Sequence, residues 1–155
     1  MPQDARHDFD FLRGTWQATN RSLRKRLVGS DEWNEFPSTL RSTPLLDGVM
    51  NVDELTIPGR DGGVTLRVFH PDTDEWSVYW AAAGARTVDT PVVGKFRDGV
   101  GEFYSDDTWE GTPVRVLYKW DARDPENPRW EQAFSVDGGE TWETNWIASF
   151  TRVSP

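Results

Sequence analysis

The chain has 155 residues, enough for one domain with a real core, and its 28% charged and 36% hydrophobic residues read as soluble and globular. A formal net charge of −9 argues against nucleic acid or an anionic membrane as a partner, because both select for a basic stripe. The absence of cysteine excludes disulfides, thiolate catalysis, iron–sulfur clusters and cysteine-ligated zinc.

Residues 5–14, ARHDFDFLRG, open the chain. Phe9 and Leu12 are spaced for one helical turn, which Gly14 would stop. The N-terminal MPQDARHDFDF has no apolar h-region, and no apolar run approaches the ~20 residues of a membrane helix. A cytoplasmic location is the default expectation. Beyond Gly14, apolar residues alternate and turn residues recur about every ten positions, which predicts an all-β chain.

The first strand is read over 15–27, with a turn at Gly29-Ser30-Asp31. Basic residues cluster here, at Arg21, Arg24, Lys25 and Arg26, and read as a solvated face with a few inward members rather than a phosphate site. The second strand covers 31–43, where Pro37 marks a bulge or an edge. Val49 to Ile57 form the third, closed by Pro58-Gly59 and Asp61-Gly62-Gly63. Val64 to Phe69 form the fourth and Trp76 to Ala82 the fifth, with His70-Pro71-Asp72 as turn chemistry between them. Residues 84–90 loop to a sixth strand over Pro91–Phe96. The seventh spans Val100–Asp106. On the eighth, Val114, Val116, Tyr118 and Trp120 alternate against Arg115, Leu117 and Lys119, so one face is buried. A polar loop, 121–129, leads to Trp130–Ser135 and Thr141–Val153, completing ten strands.

The last two strands flank Asp137-Gly138-Gly139, a strong hairpin signal. Ser135 to Trp142 match the Asp-box pattern S-x-D-x-G-x-T-W of sialidase propellers, where it is a structural hairpin; a single copy builds no propeller. Phe150-Thr151-Arg152 ends the final strand and is the expected partner of Gly14-Thr15-Trp16 at the start. Ten antiparallel strands joined by neighbour hairpins fit an up-and-down barrel over residues 1–155 as one domain, because closure removes exposed edges. No crossover helix is present to support a parallel sheet. No repeat of solenoid or propeller period is found.

On Gly14-Thr15-Trp16 and Thr151-Arg152 the chain resembles the calycin superfamily of lipocalin-like barrels. The resemblance implies that Arg152 packs over the Trp16 indole as a cation–π contact closing one end. FDFLRGTW, WSVYW, VGEFY and WEQAFSVDGGETWETNW together resemble a bacterial family of uncharacterised small lipocalin-like proteins, the DUF1579-like domains. That likeness implies a barrel with a small-molecule cavity and carries over no catalytic residue.

Barrels of similar shape, the nitrobindins, hold haem on a histidine. Here His7 lies in the lead-in and His70 at a strand end before Pro71, neither in the closing hairpin, so no haem and no histidine-rich metal site are expected. Nucleophile motifs and phosphate-binding glycine loops are absent. Glu54, Glu102 and Glu131 sit within apolar strands, where an inward carboxylate could serve as acid or base; alternation places Glu102 and Glu131 outward.

Nine Trp, eight Phe and three Tyr exceed what a small core needs. With Trp16 inward, alternation puts Asn20 inside on the first strand, and Trp76, Val78 and Trp80 inside on the fifth. Tyr118 follows on the eighth, Gln132 on the ninth, and Trp146 with Phe150 on the last. Asn20, Trp80, Tyr118, Gln132 and Trp146 are the candidate ligand-binding residues. A one-residue bulge would swap faces and present Arg67, Glu131 and Asn145 instead. A wall of indoles with a phenol and a few amides suits a planar, mostly apolar ligand, neutral or cationic, with no cofactor. Two rival readings use the same barrel: a cofactor-independent cyclase or isomerase, and a structural barrel whose aromatics fill a dry core. A homodimer is the remaining partner expectation.

Overall fold

The structure, a computed structural model, describes residues 4–155. Met1 to Gln3, part of the stretch read for a leader, lie outside the described residues. The strands are β1 Gly14–Leu23, β2 Trp33–Leu45, β3 Met50–Thr56, β4 Gly63–His70, β5 Glu75–Ala82, β6 Thr87–Val88, β7 Val92–Arg97, β8 Val100–Trp109, β9 Thr112–Asp121, β10 Arg129–Ser135 and β11 Glu143–Ser154. All pairings are antiparallel. β1 pairs with both β2 and β11, and β5 with both β4 and β7, so ten strands close into a barrel.

The first predicted strand ends earlier than read, at Leu23, because residues 24–32 turn across the open end instead of extending the sheet. β6 was not foreseen within 84–90. It is a two-residue spur on β5, opposite Ala81 and Ala82, too short to carry alternation. Pro37 sits where β2 is a local edge: it faces Thr19 of β1, while pairing with β3 begins only at Thr39, so its missing N–H leaves no ladder incomplete on that side.

The single helical turn expected at the start is two 3₁₀ turns, Ala5–His7 and Asp10–Leu12, and a third follows β2 at Leu46–Gly48. The first two plug one end of the barrel. Phe9 meets Trp76 and Phe96 edge-on, with ring centroids 5.1 and 5.0 Å apart, and Leu12 is sealed beneath. Trp16 is 0% exposed and its Nε1 donates to Leu12 O at 2.8 Å. The Arg152 guanidinium lies 4.2 Å from the Trp16 ring and donates to the carbonyls of Arg13 and Phe11 at 2.6 and 2.8 Å. The expected cation–π closure is therefore present, and it also ties down the plug's C-terminal carbonyls. Gly14 is required at this seam: its φ is +109°, and a Cβ there would fall 2.4 Å from Ser154 O.

Asp8, in the plug, sits near Asp4, Asp74 and Asp10. Burial first, and then those carboxylates, raise its pKa to about 6, against a small opposing pull from His7. A carboxyl raised in the folded state stabilises the protein below its unfolded value, and that contribution is lost as pH rises through about 6. Asp8→Asn should therefore raise the melting temperature at about pH 7.5 and leave it unchanged near pH 4, measured by thermal scans at both values.

At the opposite end the Asp-box hairpin folds as a local unit. Ser135 Oγ accepts from Gly139 N at 2.8 Å, and Asp137 accepts from Thr141 N at 2.9 Å. Trp142 Nε1 donates to Gly139 O. The Thr141 hydroxyl first, then the Thr141 N–H and the Ser135 hydroxyl, all donating to the Asp137 carboxylate, hold its pKa down at about 2.

Candidate functional site

Strand direction decides which residues reach the interior and at what depth. β1, β3, β5, β8 and β10 run from the plugged end to the open end, and their antiparallel neighbours return. The interior residues enclose a cavity of about 450 Å³. Leu40, Asp53, Arg67, Val78, Trp120 and Phe150 line its plugged end. Arg26, Asp89, Asp107, Thr108 and Trp109 line its mouth.

All five candidate residues, Asn20, Trp80, Tyr118, Gln132 and Trp146, line this one cavity. Their chemistry differs. Asn20 is committed to the wall: Nδ2 donates to Ser38 Oγ at 2.8 Å and to Phe36 O at 3.2 Å, while Oδ1 accepts from Trp146 Nε1 at 3.1 Å. Asn20 and Trp146 thus form a fixed surface. Gln132 donates from Nε2 to Asn145 Oδ1 at 2.8 Å, which leaves its carbonyl oxygen for the interior. The Tyr118 hydroxyl has no protein hydrogen bond among the described residues. Burial, followed by the carboxylates of Asp89 and Asp107, pushes its pKa up, so it stays a neutral donor. Trp80 covers Gly63, where a Cβ would fall 2.3 Å from the indole edge.

The loop 24–32 crosses the mouth. Leu27 N donates to Glu143 Oε1 at 2.7 Å, and the Arg26 guanidinium rests 4.7 Å from the Trp109 ring and 5.5 Å from that of Phe134. Arg26 is the inward member of the basic cluster. Desolvation lowers its pKa, against the pull of Glu143. Asp89 is raised by desolvation and by Asp107 beside it.

Of the three strand glutamates, Glu102 and Glu131 face outward as alternation places them, and Glu54 does not reach the interior either. Glu54 and Glu102 are exposed, and Glu131 pairs with Arg129 on the outer surface at 3.0 Å. Asp53 takes the interior position on β3, because it shares its face with Leu55. Arg67 shares its face with Phe69 on β4 and lines the cavity without any swap of faces. Besides a register shift between Thr15 and Trp16 of β1, a bulge lies at Asn145, between Gln132↔Trp146 and Ala133↔Thr144. It buries Asn145 completely while keeping both Gln132 and Trp146 on the cavity. Parity with Leu55 and Phe69 was the signal that would have found Asp53 and Arg67.

The histidines stand elsewhere. His7 Nδ1 is 2.9 Å from Asp10 Oδ2, His70 Nε2 is 2.8 Å from Ser77 Oγ, and neither lines the cavity. Among the described residues no group of three or more His, Asp or Glu is placed to hold a metal ion, and no helix is long and apolar enough to cross a membrane.

No protein-family model matches the chain, so its likeness to the DUF1579-like family is not confirmed, and no curated protein matches it. Among solved structures, an S-type phycobiliprotein lyase, CPES from Guillardia theta, is similar with a TM-score of 0.58 and 11% sequence identity, covering 97% of this chain and 98% of that one. At that identity the likeness shows the fold: a closed, lipocalin-like antiparallel barrel.

Proposed function

We propose that the barrel binds a small, planar, mostly apolar molecule in its cavity. The observation that carries this reading is about 450 Å³ of space walled by Trp80, Tyr118, Trp130 and Trp146. Ligand pockets commonly span roughly 300–1,000 Å³ with apolar walls and a few placed polar groups. A dry aromatic core would be close-packed and would leave no space of this size. The likeness to a protein named as a phycobiliprotein lyase supports a ligand-handling use of the fold.

N-phenylnaphthylamine, a neutral aromatic dye that brightens in apolar surroundings, tests the reading. Saturable enhancement is expected with the native protein. Ala148 faces the cavity, and Ala148→Trp puts an indole into the space, so affinity for the dye should fall by about tenfold or more. Equal affinity in the variant, with an unchanged circular dichroism spectrum, would place the dye outside the barrel.

A cofactor-independent enzyme is the second reading. It is favoured by the Tyr118 hydroxyl and the raised Asp89 carboxyl lining the same cavity, where they could move a proton on a bound substrate. Recovery of an altered ligand after incubation would select it over simple binding.

A further inference from the structure

β3 and β4 place two opposite charges inside the barrel. In their register Asp53 stands opposite Thr65 and Asn51 opposite Arg67, so the guanidinium reaches diagonally to the carboxylate. Arg67 Nη2 donates to Asp53 Oδ2 at 2.6 Å, and Nη1 to Asn51 Oδ1 at 2.8 Å. The guanidinium lies 4.7 Å from the Phe9 ring and 5.9 Å from that of Trp120. Arg67 is 3% exposed and Asp53 1%. Both line the plugged end of the cavity. Each keeps one buried atom without a protein partner among the described residues: Nε of Arg67, a donor, and Oδ1 of Asp53, an acceptor.

Stability alone is a weak reason for such a pair. Apolar residues of similar volume often serve the fold as well or better, and every orphaned buried polar atom is a cost. We infer that Asp53 and Arg67 are the polar anchor of the cavity. They select a neutral ligand group with an acceptor beside a donor, of the lactam or cis-amide kind, on a planar aromatic body. The inference rests on the reading that the cavity holds a ligand. Charge balance carries the chemical class. An anionic group would meet Asp53 and a cationic group would meet Arg67, where little water screens either repulsion. A lactam edge offers its carbonyl to the guanidinium and its N–H to the carboxylate. The indole wall above takes the rest of the molecule.

Carbostyril, a bicyclic aromatic lactam, and N-methylcarbostyril, which keeps the carbonyl and loses the N–H, test the anchor by calorimetric titration into the full chain. The native protein should prefer carbostyril by about tenfold or more, because a site built to pair a donor rejects the analogue that lacks it. Asp53→Leu combined with Arg67→Met should retain N-phenylnaphthylamine and lose the preference. Equal affinities in the native protein, or a preference that survives in the double variant, would overturn the inference and leave a structural ion pair. If the dye fails to bind the native protein, the cavity reading falls and this inference with it. If the dye binds and the lactams are not distinguished, only this inference falls. The native comparison needs no variant, so it stands even if the double variant does not fold.

Discussion

Asp53→Ala is expected to destabilise the barrel by about 3–5 kcal/mol, the usual loss when one member of a buried ion pair is removed. The cost comes mainly from what is left behind. Arg67 would keep its bond to Asn51 and its place over Phe9 and Trp120, but its charge would have no counterion at a position only 3% exposed. Urea unfolding should show the loss as a lower midpoint with an unchanged slope, and thermal scans as a drop of roughly 10 °C for a chain of this size. The double replacement Asp53→Leu with Arg67→Met should cost less than Asp53→Ala, because it removes both charges and their orphaned atoms together and leaves only the Asn51 carbonyl oxygen without its donor. A single variant that loses less than about 1 kcal/mol would mean that solvent reaches Arg67 as it does an exposed pair.

Trp16→Ala should cost a similar amount, about 3–5 kcal/mol, for a different reason. The indole is fully buried where β1, β11 and the plug meet. Its loss opens a void beside Phe150, whose ring is 6.5 Å away and edge-on. It also strips the Leu12 carbonyl of its donor and the Arg152 guanidinium of its aromatic face. Trp16 and Arg152 touch, so their effects should not add. A double-mutant cycle with Arg152→Ala should return a coupling of at least about 0.5 kcal/mol, and additive losses would show that the cation–π contact contributes nothing measurable.

The barrel was legible because its determinants are local. Alternation set the inward face of β5, β9 and β11, and Asp-Gly and Pro-Gly turns marked the hairpins. The same parity brought Asn20, Trp80, Tyr118, Gln132 and Trp146 to one wall. It could not say that Asn20 is already spoken for by Trp146 and Ser38, since those bonds span 126 and 18 residues of chain.

Asp53 escaped, and Arg67 entered only as the alternative a bulge would present, for a related reason. A charged residue in a short strand reads as outward, because burying a charge alone is prohibitive. Only pairing makes the interior tolerable, and the pair exists only once the β3–β4 register is set. The bulge at Asn145 is similar: one extra residue is invisible to alternation, yet it keeps both Gln132 and Trp146 on the cavity side.

The chain by itself therefore determined strand periodicity, turn positions and the Asp-box hairpin, all encoded in short-range pattern or motif, while the closure of Arg152 over Trp16 was implied by the resemblance to lipocalin-like barrels. The tertiary structure alone decided where empty space remains, which polar groups are consumed by the wall, and that opposite charges meet at its base. Those outcomes depend on residues far apart in the chain coming within a few ångströms, and neither local propensity nor parity carries that information.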